Sequence, residues 1–232
     1  MSLCLRGVTA GYGRSMVLRD VSITVPDGSV VAVIGANGAG KTSLLRVASG
    51  LMAPQAGWIR LDGENLTGRP VCDFAKAGIC HVPEGRAVFP GLSVRDNLRV
   101  FSPARRERES IDRAITLFPR LGERLGQIAG TMSGGEQQML ALARAYLCDC
   151  KVILLDELSM GLAPKLVDVI FESISRLRGE NVGVVVVEQY VDRVLAIADY
   201  VYVMSRGRVG FAGDPGEFAD NDLFQQYLGA GV

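Results

Sequence analysis

At 232 residues, with 25 basic and 25 acidic side chains and 48% hydrophobic residues, the chain is long enough for one large α/β domain or a core carrying a smaller insertion. The balanced charge offers nucleic acid no basic field and gives no acidic excess that would argue for disorder. The amino-terminal Met1-Ser2-Leu3-Cys4-Leu5-Arg6 lacks the apolar stretch of a signal peptide, and no apolar run approaches the roughly 20 residues a membrane-spanning helix needs. A soluble, cytosolic chain is expected, held at a membrane only through partners.

Leu3 to Val8 and Val21 to Val25 alternate apolar and polar residues like half-buried strands, separated by the turn-rich Ala10-Gly11-Tyr12-Gly13-Arg14-Ser15. This opening reads as an antiparallel meander. Tyr12, between two glycines, is placed to hold its ring out as a platform for a nucleobase. Pro26-Asp27-Gly28 then turns the chain into the apolar run Val30 to Ile34, which empties into Gly35-Ala36-Asn37-Gly38-Ala39-Gly40-Lys41-Thr42. That is a complete G-x-x-x-x-G-K-T pattern with a strand before it and the helical Ser43-Leu44-Leu45 after it. Its glycines let successive N–H groups turn inward on phosphate oxygens, and the helix beginning near Lys41 adds its positive end. Lys41 is expected to reach the β- and γ-phosphates, and the Thr42 hydroxyl to meet Mg²⁺. Binding of a nucleoside triphosphate is the firmest functional expectation.

The helix ends near Gly50, a strand follows at Trp58 to Leu61 with a turn at Asp62-Gly63, and Val71 to Ala77 precede a compact strand at Gly78 to Val82. That strand runs into Pro83-Glu84-Gly85-Arg86, so it ends at a loop bearing a carboxylate. From Ser93 to Gly130 the character changes: apolar Ile111, Ile115, Phe118 and Leu121 recur at helical spacing beside the mixed charges of Arg105 to Glu109, which reads as a helical insertion with a solvated face. Ser133-Gly134-Gly135-Glu136 is a capping box opening a helix through Leu147, and its uncovered N–H groups make a second anion site. The apolar run Val152 to Leu155 stops at Asp156-Glu157, as a central parallel strand does when its carboxyl end opens on a nucleotide. Because successive strand side chains point oppositely, Asp156 is expected to face Mg²⁺ while Glu157 faces the γ-phosphate and a water as base or orienting group.

Pro164 begins an amphipathic helix (Val167, Ile170, Phe171, Ile174, Leu177) ending near Gly179. A buried strand at Val182 to Val187 then leads into Glu188-Gln189, and a last helix precedes two strands around Arg206-Gly207. Alternating strands and helices indicate an α/β fold, a mostly parallel sheet with helices on both faces. The five cysteines (Cys4, Cys72, Cys80, Cys148, Cys150) are an odd set without C-x-x-C spacing, and His81 is the single histidine, so they read as reduced, mostly buried thiols rather than a metal site.

In this order the motifs resemble the ATP-binding subunits of ABC transporters, and the similarity covers nearly the whole chain. The resemblance implies a P-loop NTPase core with an antiparallel β subdomain near the amino terminus (1–92 and 150–232) and a helical subdomain (93–149) that ends in the signature helix and contacts the membrane subunits. Gly35 to Thr42 is then Walker A, with Ser43 beside it on the phosphates; Asp156 ends Walker B, Glu157 is the catalytic carboxylate and Tyr12 stacks on adenine. Met132 to Glu136 looks like the signature motif, Ser159-Met160-Gly161-Leu162 the D-loop, and Pro83-Glu84 the loop that normally carries glutamine. In this family the signature helix of one protomer closes over ATP held by another, so Ser133, Gly134, Gly135 and Glu136 are expected to act across a dimer.

Four positions depart from the family pattern. Glu84 replaces glutamine, adding charge beside the phosphates while keeping an oxygen for Mg²⁺; Gln189 replaces the switch histidine and cannot titrate near neutral pH; Met132 replaces leucine, and Leu158 follows Glu157 where proline or a small residue is usual. Val82 to Arg86, Ser133 to Leu140, Gly161 to Pro164 and Val187 to Gln189 together look most like an ATPase subunit of branched-chain amino acid importers. That implies ATP hydrolysis with Mg²⁺, a second ATPase subunit or a second copy of this chain, two permeases, an indirectly coupled substrate-binding protein and a peripheral place on the cytoplasmic face of the membrane. The competing class is a soluble non-transport ABC-type ATPase; such proteins usually carry paired cassettes, coiled coils or basic patches, which this sequence lacks. A regulatory module with impaired hydrolysis is weighed against by the retained Glu157.

Overall fold

The computed structural model describes residues 2–85, 87–178 and 180–219; Arg86, named in the expected loop after Glu84, and Gly179, the expected helix end, lie outside them. Two long strands, β1 (Ser2–Tyr12) and β2 (Ser15–Pro26), form an antiparallel hairpin in which Tyr12 already pairs with Ser15. The expected Ala10–Ser15 loop is therefore only a Gly13-Arg14 turn. Register shifts between Leu5 and Gly11 change which side chains face inward, so one simple alternation does not run through β1.

β3 (Val30–Ile34) enters the phosphate loop and is followed by α1 (Lys41–Ala48). β4 (Ala56–Leu61) and the short β5 (Glu64–Asn65) extend the hairpin into a four-stranded sheet of order β2-β1-β4-β5. After α2 (Val71–Ala77), β6 (Ile79–Val82) returns to β3's sheet.

Between 93 and 131 the chain is helical, as its spacing predicts: α3 (Val94–Phe101), α4 (Glu107–Leu117) and α5 (Pro119–Gly122), with single 3₁₀ turns at Ala104–Arg106 and Ala129–Thr131. All three α-helices pack on α6 (Gly134–Leu147), and α6 in turn packs on α7 (Pro164–Arg178) and on β6.

β7 (Val152–Asp156), β8 (Gly183–Val187) and β9 (Tyr200–Ser205), with α8 (Val191–Leu195) between the last two, complete the parallel part of the second sheet. Its order is β10-β9-β3-β8-β7-β6; β10 (Arg208–Gly213) is antiparallel to β9, the other pairings are parallel, and α9 (Pro215–Ala219) follows.

β3, β7 and β8 are buried at every residue, because both faces of this sheet are covered. Val30, Ala32 and Ile34 with Ile153 and Leu155 enter one core cluster, which takes in α6 and α7. Val31 and Val33 with Val152 and Leu154 enter the other, which joins the antiparallel sheet and Leu44, Leu45, Val47 and Ala48 of α1. The period-2 rule sorts alternate valines to opposite cores. The carboxyl ends of β3, β8, β7 and β6 accordingly lie along one rim, in that order, with the phosphate loop, Gln189, Asp156-Glu157 and Glu84 at their exits. β6 is one of the two edge strands of this sheet and, among the described residues, is bonded to β7 alone.

Candidate functional site

The phosphate loop leaves β3 through Gly35 at φ +151°, where a Cβ would stand 2.3 Å from the Met204 carbonyl oxygen, so only glycine fits. Ala36, Asn37 and Gly38 form an exposed crest; Ala39 is buried, and its N–H donates to the Ala36 carbonyl at 3.0 Å. Gly40, left-handed at φ 105°, is the N-cap of α1 and supplies no side chain, which leaves the first-turn N–H groups open to an anion. Lys41, 6% exposed, donates from Nζ to the carbonyls of Gly35 (2.8 Å) and Ala36 (3.3 Å). Burial pushes its pKa down, against the opposing pull of the Glu157 and Asp156 carboxylates. A positive side chain is thus folded against the loop it serves. Beneath the crest lies a cleft of ≈ 160 Å³ lined by Asn37, Gly38, Gly40, Lys41, Thr42 and Glu157, with the buried Ser43 completing the helix mouth.

The Thr42 hydroxyl donates to Asp156 Oδ1 at 3.3 Å, bringing the two expected cation ligands together across 114 residues of chain. Asp156 is 1% exposed, and its second oxygen, Oδ2, is buried without a hydrogen-bond partner. Burial raises its pKa to about 6, and the nearby charges of Glu157 and Glu84 push the same way while the Thr42 bond opposes. A buried, unpaired carboxylate oxygen beside a hydroxyl is a hard-oxygen site that a divalent cation would satisfy. The donor set fits Mg²⁺. Glu84 is exposed at the exit of β6, close enough for its charge to reach Asp156.

Glu157 does not follow from the strand alternation expected of it. It sits at φ 46°, outside extended geometry, with its N–H donating to the Val187 carbonyl at 2.8 Å. This left-handed residue, and not the pleat, turns its carboxylate toward the phosphate cleft. Oε2 accepts a 3.0 Å hydrogen bond from the Gln189 amide, so the candidate base and the residue in the switch position are already in contact. In α1's last turn, Arg46 donates to the Tyr12 hydroxyl at 2.8 Å; the Tyr12 ring is 49% exposed and not folded onto the core.

Ser133 and Glu136 form the expected capping box: the Ser133 N–H and hydroxyl both donate to Glu136 Oε2, at 2.9 and 2.8 Å, and the Glu136 N–H donates back to Ser133 Oγ at 3.4 Å. These bonds from Ser133 hold Glu136 below the usual carboxylate range, helped by Arg124 at 3.1 Å. Gly135 is small for packing, since a Cβ there would meet Leu166 Cδ1 at 2.1 Å. Ser133 is exposed, and this helix mouth does not line the phosphate cleft of its own chain.

Sequence reasoning missed Glu188. This carboxylate, 3% exposed, accepts from both the N–H (2.9 Å) and the hydroxyl of fully buried Ser159, tying the segment after Glu157 to the strand that carries Gln189. Burial pushes its pKa up, and the Ser159 bonds hold it down. The available signal was a carboxylate closing an all-valine strand, where only a buried partner makes it tolerable. The thiols also differ from expectation: Cys80 is buried, Cys72 is exposed, and Cys4, Cys148 and Cys150 are half-buried, none of them in a disulfide.

Comparison with known proteins places these features in a family. The ABC transporter family matches residues 18–159. The high-affinity branched-chain amino acid transport ATP-binding protein BraG of Pseudomonas aeruginosa is 46% identical over 205 residues, covering 87% of this chain and 88% of that protein. The probable branched-chain amino acid transport ATP-binding protein LivF of Archaeoglobus fulgidus is 36% identical over 94% of each chain. The lipopolysaccharide export system ATP-binding protein LptB of Escherichia coli is 32% identical, covering 98% of this chain and 97% of that one. Among solved structures, the ADP conformation of an ATP-binding cassette of an ABC transporter superposes with a TM-score of 0.84 at 24% identity over 99% of both chains, a likeness of fold. With its nucleotide loop, its paired carboxylates and its capped second helix mouth in place, the chain belongs to the ABC transporter ATP-binding family, whose members hydrolyse ATP.

Proposed function

We propose that this chain powers an importer for branched-chain amino acids, or related small amino acids and amides, through separate permease subunits. The observation that carries this reading is the 46% identity to BraG over nearly the whole chain, well above the 32% shared with LptB. Export is thereby the less favoured direction.

In the reaction, the loop amides, the α1 terminus and Lys41 hold the triphosphate, and the exposed Tyr12 ring stacks on the base. Thr42 and Asp156, with a further oxygen from Glu84, would hold Mg²⁺, which would supply charge neutralisation for the β- and γ-phosphates. Glu157 orients and deprotonates the water that attacks the γ-phosphorus. Gln189 holds that carboxylate and can turn its amide to the γ-phosphate. Because an amide does not titrate, turnover near neutral pH follows the carboxylates and not a switch histidine.

Ser133 and the α6 terminus, lying outside the cleft of their own chain, serve the nucleotide of a partner cassette, either an unlike second ATPase or another copy of this chain. Loss of the γ-phosphate then removes the ligand both protomers share. The permeases dock on the far side of the rim, where a groove of ≈ 550 Å³ lies between α2 and β6 on one wall and α3 and the end of α6 on the other, with Leu51, Val71, Pro83 and Phe101 in its lining. Phe89, 45% exposed and stacked on Phe101 at 5.8 Å, extends this apolar surface. Among the described residues no helix is long and apolar enough to cross a membrane, so the place proposed is peripheral, on the cytoplasmic face, with a substrate-binding protein acting only through the permeases.

The test is affinity capture of a tagged Glu157→Gln chain from detergent-solubilised cells with ATP and Mg²⁺, with co-eluting proteins identified by mass spectrometry. This variant is expected to bind ATP, to stop turning over and to retain a second ATPase and two permeases. Recovery of only soluble or ribosomal partners overturns the importer reading in favour of a non-transport ATPase.

A further inference from the structure

Three of the five cysteines, distant in sequence, meet at the floor of the groove. Cys80 lies on β6, Cys148 caps the end of α6, and Cys150 precedes β7; all three line the same cavity and neighbour one another. Among the described residues no group of His, Cys, Asp and Glu is placed to hold a metal ion, so the cluster calls for another chemistry.

Its surroundings supply one. The Arg144 guanidinium lies over the Phe101 ring at 4.0 Å, its Nε buried without a hydrogen-bond partner among the described residues, so an under-paired cation lines the same cavity as the thiols. His81, the other nearby base, bonds Ser49 Oγ at 3.1 Å, and burial pushes its pKa down to about 4, leaving it neutral. The Cys148 and Cys150 thiols donate to the carbonyls of Arg144 (2.9 Å) and Ala145 (3.5 Å), and both lie within hydrogen-bond reach of Cys80. Those two donors, with Arg144, favour the Cys80 anion against its burial, while Cys148 is pushed up to about 12 and Cys150 also rises. The cluster thus biases ionisation toward one sulfur, that of Cys80, over its two neighbours.

We propose that Cys80, Cys148 and Cys150 form an oxidation site in which a hydroperoxide converts Cys80 to a sulfenic acid and Cys148 closes it to a disulfide. In the first step the Cys80 thiolate attacks the outer peroxide oxygen; the O–O bond breaks and the leaving oxygen takes a proton from solvent as water or alcohol. In the second, the Cys148 sulfur attacks the sulfenic sulfur, the S–O bond breaks, and hydroxide leaves as water with the Cys148 proton. Two thiols are oxidised by two electrons and one peroxide is reduced. If the groove receives a permease, as proposed above, the new bond ties β6 to the end of α6 beneath it and fixes the separation of the two walls.

The experiment treats the purified full chain, carrying Cys4→Ser and Cys150→Ser, with hydrogen peroxide and follows intact mass, peptide maps and dimedone capture. The expected product is lighter by two hydrogens, with Cys80 joined to Cys148, and it forms about tenfold faster than exposed Cys72 is oxidised, because Cys80 has two thiol donors and the Arg144 charge beside it. Adding Cys148→Ser should stop the reaction at a dimedone-reactive Cys80, and Cys80→Ser should abolish the disulfide. Oxidation of Cys72 ahead of Cys80, or a disulfide that persists in Cys80→Ser, overturns the proposal. Should Cys80→Ser fail to fold, the Cys148→Ser chain decides alone: no dimedone on Cys80 refutes it. The assay uses the isolated chain, so failure of permease docking leaves its result standing.

Discussion

Replacing Asp156 by asparagine should make the chain more stable and less able to use its nucleotide. Asp156 is 1% exposed and its pKa rises from 3.8 to about 6, so ionising it in the folded protein is disfavoured by about two pH units relative to the unfolded chain. At about 1.4 kcal/mol per unit this is ~3 kcal/mol, with both forms ionised at neutral pH. The sign follows from the raised pKa. Below pH 4 the carboxyl is protonated in both states and exacts nothing; between pH 4 and 6 the penalty grows as the unfolded state loses its proton first; above pH 6 it is complete. Asparagine keeps an oxygen for the Thr42 hydroxyl and carries no charge, so the variant should gain ~2–3 kcal/mol at pH 8 without Mg²⁺, roughly 5–10 °C in a chain of this size. Thermal melts of both proteins at pH 4, 6 and 8 measure the gap, and Mg²⁺ with a non-hydrolysable ATP analogue should then stabilise the parent more than the variant. A variant that melts at or below its parent at pH 8 without metal, or a gap that does not change with pH, refutes the unpaired-carboxylate argument.

Substitutions at three further positions probe Lys41, Tyr12 and Glu188. Lys41→Ala removes a charge-assisted phosphate contact worth ~1.5–3 kcal/mol, so titration calorimetry should show nucleotide binding weakened by about 10- to 100-fold; unchanged affinity contradicts the role given to Lys41. Tyr12→Ala should weaken nucleotide binding by ~1–3 kcal/mol while Tyr12→Phe, which loses only the Arg46 bond, stays near the parent; equal losses would move the contribution from the ring to the hydroxyl. Glu188→Ala leaves the buried N–H and hydroxyl of Ser159 without their acceptor, which should lower stability by ~1–3 kcal/mol and slow turnover at saturating ATP with nucleotide affinity retained. A parallel loss of affinity would place Glu188 in nucleotide binding instead.

Much of this arrangement was legible because the sequence marks it locally. The phosphate loop announces itself through a valine run, three glycines and Lys-Thr, and the signature helix through a serine with glutamate three residues on; both depend on contacts within a few residues. Sheet membership was also readable, since apolar strands that alternate with helices have few ways to pair. What sequence could not give was long-range. The Glu157 carboxylate is aimed by a φ of 46° and by a bond to Val187, neither of which periodicity encodes. Glu188 looked like a strand's last residue because its partner, Ser159, lies 29 positions earlier. The cysteines looked unrelated because β6 and the end of α6 meet only in the folded chain.

The strand beneath the phosphate loop is clamped by a neighbour on each side, but β6, from which Glu84 hangs, is bonded among the described residues to β7 alone and forms a wall of the groove. Under load from that side, the outermost strand is the compliant member of the rim: it can yield by a fraction of an ångström while the clamped strands stay put. A force applied in the groove would therefore reach the reaction first as a change in where one negative charge sits relative to Asp156, a soft spring in series with a rigid cradle.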